Sequence, residues 1–246
     1  FLIIDDGSID RGIEIIKEYS DTRIKIIKHN KNKGLISSLN EGIKETNGDY
    51  IIRMDSDDIS LPHRIEKQIA YLDKNPKVGI CGSWIRTFGN SIEKEWKPAT
   101  KYEEIKCRLI FDTPIAHPSV ALRKSKLLLH NLWYDEKAKN IEDYDLWVRA
   151  LDYMEITNYP KVLLKYRTHE SQMCNMYKDD QMKLHKKIAL SQIKRFVPDI
   201  SSSDIDLHYD IVKKFIPDRL NYEKANLWLQ KLILYSKSTD IYTQKA

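Results

Sequence analysis

In its first 75 residues the chain repeats one pattern three times: a short apolar run, a turn, and a stretch whose apolar residues recur at helical spacing. Phe1 to Ile4 is a continuous apolar run stopped by "DDGS", as a buried strand entering a turn would be. Asp10 is placed to cap a helix with Ile13, Ile16 and Tyr19 on its apolar face. "RIKIIKH" suits a second strand, and Leu35, Ser38, Leu39, Gly42 and Ile43 predict a helix over 34–46. "NGD" punctuates and "YIIRM" reads as a third strand. Pro62 falls in the first turn of the next helix, where its missing N–H costs little, with Ile65, Ile69 and Leu72 as the inner face. Strand and helix in this alternation predict an α/β fold, a Rossmann-like and mostly parallel sheet with helices on both faces.

In such sheets ligands bind outside the carboxyl ends of the strands, and both "DDGS" and "DSDD" fall there. The second cluster sets Asp55, Asp57 and Asp58 together where a buried strand surfaces. Neighbouring carboxylates in a partly dry site repel, and one takes up a proton unless a cation compensates them. A divalent metal, which prefers oxygen ligands, answers the arrangement. Asp58 is read here as the cap of the following helix; a plainer alternative makes all three turn and cap residues.

From Val78 the pattern loosens. "VGICGSWIRTFG" is strand-like, "KYEEIKCRLIF" helical, "HPSVALRK" another strand, "IEDYDLWVRALDY" a short helix with Leu146, Ala150 and Tyr153 inward, and "KVLLKYRTH" a last strand. Beyond Met173 the chain is Lys-rich and helical. With 41% apolar and 31% charged residues it has the make-up of a folded globular protein. Its net charge of +5 suits anionic ligands or a membrane surface and is too small to point to nucleic acid. Cys81, Cys107 and Cys174 show no CxxC or metal-ligand spacing and read as reduced thiols of a cytoplasmic protein. No apolar run approaches the ~18–20 residues that span a bilayer. The chain opens inside a strand pattern without an initiator Met, so a strand and a helix are expected to precede Phe1.

The segments "IIDDGSID", "NKGLISSLNEGIKETNGDYIIRMDSDDISLPHRIEKQIAYL", "IEDYDLWVRA" and "YRTHESQ", in that order, resemble the family 2 glycosyltransferases, bacterial-type enzymes of the GT-A fold. The resemblance runs from residue 1 to about residue 175, and the ordered set of four motifs carries it. It implies a GT-A domain over 1–174, followed by a basic helical region over 175–246. It also implies inverting transfer of a sugar from a nucleotide donor to an acceptor hydroxyl, in the synthesis of a bacterial surface polysaccharide such as capsule, O-antigen or exopolysaccharide. The family's opening strand, with its Pro-x-Tyr-Asn-like turn, has no counterpart here.

Residue by residue, the resemblance makes Asp55 a partner of ribose or sugar hydroxyls and Asp57 a ligand of Mn²⁺ or Mg²⁺. Such an ion offsets the charge developing on a departing diphosphate. Asp5 or Asp6 would meet the base and Lys33 the base or phosphate. Asp143 would be the base that takes the acceptor's proton, with Glu142 beside it positioning the acceptor. His169 would stand against the metal or diphosphate, Arg167 against phosphate or an acid, and His117 and Trp147 on the acceptor side.

UDP is the carrier met most often in the family. The acceptor is expected to be a saccharide, free or lipid-linked. Lys183, Lys186, Lys187, Lys194 and Arg195 admit a face on the inner side of the membrane, or a solvated face packed on the catalytic domain or a second subunit; the solvated reading is preferred. Two other classes compete: a sugar nucleotidyltransferase, which would normally show a Gly-rich phosphate loop, and a non-catalytic protein that binds a nucleotide sugar or glycan.

Overall fold

A computed structural model of the chain describes residues 1–90, 92–169, 178–197, 199–212 and 219–239. β1 (Leu2–Asp5) and β2 (Lys25–Lys28) pair in parallel, Ile3 opposite Ile26, across α1 (Gly12–Lys17). A six-stranded sheet holds β3 (Tyr50–Ile52), β4 (Ile59–Ser60), β5 (Val78–Gly89), β6 (Glu95–Trp96), β7 (Ala121–Arg123) and β8 (Glu155–Thr168). Its order is β3-β7-β5-β8-β4, with β6 also on β5. β5 and β8 run parallel over almost their whole length and form its spine. β3, β4, β6 and β7 add antiparallel pairings, so this is a mixed, curled sheet in which parallel ladders hold most of the paired residues. β3 takes β7 as its neighbour, Ile51 opposite Leu122, not β1 or β2.

The remaining α-helices among the described residues are α2 (Leu35–Glu45), α3 (Arg64–Lys74), α4 (Tyr102–Arg108), α5 (Lys124–Leu129), α6 (Glu142–Ala150), α7 (Lys178–Ile193), α8 (Ser202–Val212) and α9 (Arg219–Thr239). Burial of apolar area, the main driving force, is concentrated between the sheet and α2, α4 and α6. There Ile36, Ile43, Ile80, Ile105, Leu146 and Trp147 meet. A second cluster joins Ile110 to Ile193, Phe196, Trp228 and Leu232. His208 of α8 holds that cluster together: its Nε2 bonds the Ile110 carbonyl at 3.0 Å, and its Nδ1 accepts from Trp228 Nε1 at 3.2 Å. Burial pushes its pKa down to about 4, so the ring is neutral, as these bonds require.

Several details depart from the periodicity. The inner face of α3 is Arg64, Gln68 and Leu72, while Ile65 is 60% exposed. Pro62 lies outside the helix, separated from it by His63 in the left-handed conformation at φ 64°. The reason is polar. Arg64 donates to the Arg53 carbonyl (2.7 Å) and to Gln68 Oε1 (3.0 Å). Gln68 Nε2 in turn donates to the carbonyls of Cys81 (2.7 Å) and Ser119 (2.8 Å). Buried carbonyls need partners, and these two side chains supply them. Tyr19 and Tyr153, expected inside, are exposed. Asp10 is not the cap of α1, which is Arg11; from one position further out it accepts the Gly12 N–H at 3.0 Å.

Candidate active site

The apolar run of β3 ends at Ile52, and the chain then carries Arg53, Asp55, Asp57 and Asp58 past the top of β7. Oxygens of the three carboxylates lie within 4.8 Å of one another. Arg53 grips Asp55 through both guanidinium nitrogens, at 2.5 and 2.9 Å. Asp57 Oδ2 faces His169 Nε2 at 3.1 Å, from the end of β8. Asp58 is buried; its Oδ1 accepts the Arg167 N–H at 2.8 Å, and its Oδ2 has no hydrogen-bond partner among the described residues. Burial, reinforced by the charges of Asp55 and Asp57, pushes its pKa up to about 6. Asp58 therefore does not cap α3, which starts at Arg64; it ties the carboxylate loop to β8. Arg167 is also turned to this loop: its Nε donates to the Asp57 carbonyl (2.8 Å), and its guanidinium lies 4.4 Å from the Phe88 ring centre.

All-oxygen ligands with one imidazole nitrogen suit a hard divalent cation. An unpartnered buried oxygen and a proton affinity raised by burial and by two neighbours are what a cation between these carboxylates would relieve. The cluster could hold a metal through Asp55, Asp57 and Asp58, with His169 beside Asp57.

Glu142 and Asp143 open α6, where the first-turn N–H groups favour acids. Asp143 Oδ1 accepts the Tyr144 N–H at 2.8 Å. Burial raises the pKa of both, Arg53 opposes that rise, and Asp55 adds to it on Asp143. Arg53 is thus the cation common to the two acidic groups. It also helps burial hold His117 well below its usual pKa, so His117 is neutral; its Nε2 meets the Tyr134 hydroxyl at 2.8 Å. Trp147, expected on the acceptor side, is instead fully buried and presents no face to a sugar. Position 147 follows Leu146 into the core, and its ring meets His117 edge-on at 5.8 Å.

At the other carboxyl end, Asp5 and Asp6 have separated roles. Asp5 is buried; its Oδ1 accepts the Ser8 N–H at 2.8 Å, hydrogen bonding from the Ser8 side chain and then its backbone holds the pKa down, and its Oδ2 has no partner among the described residues. Both oxygens of Asp6 are taken up by the 29–34 loop, through His29 Nδ1 (2.7 Å), Lys33 N (2.9 Å) and Gly34 N (2.8 Å). His29 is buried between Asp6 and Glu41, whose Oε2 is 2.6 Å from Nε2. Those two acids raise its pKa, and each ring nitrogen faces a carboxylate oxygen. The Lys33 ammonium leans on Glu41 at 3.6 Å. Gly7 (φ 82°) lets the turn press on this loop: a Cβ there would sit 3.0 Å from backbone atoms of Lys31 and Asn32.

The fold therefore brings Asp55, Asp57, Asp58 and His169 together, with Asp55 gripped by Arg53, whose charge also acts on Glu142, Asp143 and His117; Asp5 lies at the end of β1 and Lys33 in the 29–34 loop. Arg53, Tyr134, His29 and Glu41 escaped the sequence reading. A single Arg inside the otherwise apolar "YIIRM" was the one available signal. Cys81 and Cys107 are free thiols whose pKa burial pushes up to about 12 and 11; Cys174 lies outside the described residues.

Comparison with known proteins follows the same lines. The model of the family described as glycosyl transferase family 2 matches residues 1–130. An uncharacterized glycosyltransferase of Haemophilus influenzae is 32% identical over 98% of this chain and 78% of its own length. The amylovoran biosynthesis glycosyltransferase AmsE of Erwinia amylovora is 32% identical over 78% of this chain and 74% of its own. Other relatives are spanned over only 55% to 63% of their length. Among solved structures, that of S. aureus TarS 1–349 in complex with UDP-GlcNAc shares the fold, with a TM-score of 0.64 at 16% identity, over 95% of this chain and 71% of that one.

Proposed function

The chain belongs to glycosyl transferase family 2, and from that premise we propose that it transfers a sugar, with inversion, from a nucleotide donor to an acceptor hydroxyl in the building of a surface polysaccharide. The observation that carries the reading is the carboxylate cluster after β3, its Asp55 gripped by Arg53 and its Asp57 facing His169. Asp57 and Asp58, with His169 beside them, would hold Mn²⁺ or Mg²⁺. A bound ion would offset the negative charge that develops on the departing diphosphate. Asp55, fixed by Arg53, is set to meet donor hydroxyls. The buried free oxygen of Asp5 suits an N–H of the base, which favours Asp5 over Asp6 for that contact. UDP is the first carrier to test; a relative of the same fold is solved with UDP-GlcNAc.

Asp143 serves as the base. As the acceptor oxygen bonds to the anomeric carbon, the bond from that carbon to the diphosphate oxygen breaks, and the hydroxyl proton passes to the Asp143 carboxylate. A pKa raised by burial makes that carboxylate a better proton acceptor than a solvated one. His117, neutral and bonded to the Tyr134 hydroxyl at 2.8 Å, is read as belonging to the acceptor side.

Residues 1–174 are read as the transferase domain and the helices beyond as its brace: Tyr144 of α6 stacks on His185 of α7 at 4.6 Å. No helix among the described residues is long and apolar enough to cross a membrane. The acceptor is taken as a saccharide or lipid-linked saccharide. Isothermal titration of UDP, GDP and dTDP, with and without Mn²⁺, tests the reading on wild type and Asp57→Ala. Metal-dependent binding of one nucleotide, lost in the variant, is the expected result. Binding indifferent to both metal and Asp57 would sink it.

A further inference from the structure

A cleft of about 520 Å³ opens between the strand β6 and helix α4, outside the acidic site. The volume is in the range of ligand pockets. We propose that this cleft is a subsite for a neutral saccharide, the part of the acceptor that trails behind the reacting hydroxyl; the role as acceptor rests on the transferase reading above.

Three features argue for this chemistry. β6 is only two residues long and leaves Trp96 38% exposed at the cleft wall. A large flat apolar face of this kind suits the C–H face of a pyranose. Glu104 and Arg108, one turn apart on α4, and Asp112 present planar charged groups that can pair with adjacent hydroxyls. With Lys97 the lining holds two acids and two bases, which favours a neutral ligand over an anion or a cation.

The walls are fixed in advance. Asn158, fully buried, donates through Nδ2 to the carbonyls of both Ala99 (2.7 Å) and Pro114 (2.9 Å), two residues that line the cleft. Trp84 Nε1 donates to the Pro98 carbonyl at 3.1 Å. A site held open by buried side chains loses little freedom when it binds. The cleft is also near the chemistry. From Asp112 the chain runs through Pro114, which lines the cleft, to His117 of the acidic site. Those five steps span at most about 18 Å even when fully extended.

The test is a titration of the chain with methyl glycosides of glucose, galactose, mannose and N-acetylglucosamine, and with lactose, maltose and chitobiose; methyl glucuronide serves as the anionic probe. The readout is the indole N–H resonance of Trp96, assigned by its loss in Trp96→Ala. At least one neutral sugar should shift that resonance saturably, and Asp112→Asn should weaken its binding tenfold or more. Should Asp112→Asn fail to fold, loss of saccharide binding in Trp96→Ala, an exposed site, carries the same information by calorimetry. Mn²⁺-dependent UDP binding should be the same in both variants and wild type. A Trp96 resonance that no neutral sugar moves, binding that survives both substitutions, or preference for the glucuronide would each overturn the proposal. UDP binding is read separately, so the donor site can stand while the cleft fails, or fail while the cleft stands.

Discussion

Replacing Gln68 with Leu is the sharpest test of how the acidic loop is held. The periodic apolar residue Ile65 should then matter less than a polar residue three places on. Gln68 is fully buried, its amide spans the Cys81 and Ser119 carbonyls, and its Oε1 accepts from Arg64. Leucine of similar volume removes all three bonds. The two carbonyls keep a second lone pair and cost about 1 kcal/mol each. The Arg64 N–H, charged and buried, costs roughly 2–3 kcal/mol when stranded. The expected loss is thus about 4–5 kcal/mol, a large part of the ~5–15 kcal/mol that stabilises a typical domain. Equilibrium urea unfolding, followed by circular dichroism and tryptophan fluorescence, measures it against Ile65→Ala, which should stay within about 0.5 kcal/mol of wild type. Because Arg64 also holds the Arg53 carbonyl, two residues before Asp55, metal-dependent nucleotide binding should weaken in Gln68→Leu at urea concentrations where it is still folded. A Gln68→Leu loss below about 1 kcal/mol, or an Ile65→Ala loss as large as that of Gln68→Leu, would refute the reasoning.

Three further outcomes are expected. Asp143→Asn should lower turnover by about 10²–10⁴ with nucleotide affinity unchanged; in wild type the rate should climb with pH through the raised pKa of Asp143, since only its ionised form accepts a proton, and initial rates of nucleotide release read both. His29 gains two carboxylate partners on folding, so its pKa is raised, and its stabilisation is complete below the unfolded value and lost as pH rises through the folded one. The urea midpoint should fall over that interval in wild type and lose this slope in His29→Asn; an identical slope in the variant would exclude the clamp. Trp228→Ala should cost about 3–5 kcal/mol by emptying the second core, a loss the same unfolding experiment would show.

Much of the site was legible because its residues lie close in sequence. The carboxylates of "DSDD" and "IEDYDLW" sit where a strand surfaces and where a helix begins, and near-neighbour periodicity marks both places. Arg53 escaped that reading although it interrupts an apolar run, because Asp143 and His117, the groups its charge acts on, lie far along the chain. The inner face of α3 was misread for the same reason. Gln68 is inside because it meets carbonyls 13 and 51 residues away, and no local pattern reports such bonds. Trp147 looked available to a sugar until packing closed over it.

The sequence by itself determined the alternation of strands and helices, the carboxylates at the strand ends and the acids at the start of α6, since each follows from backbone period and the preferences of helix termini. Only the tertiary structure decided that β3 lies against β7, that Asp58 is tied to β8 while Asp6 is tied to the 29–34 loop, and that a cleft stands between β6 and α4. Those outcomes depend on which buried polar group finds a partner, and the partners are brought together only when the chain has folded.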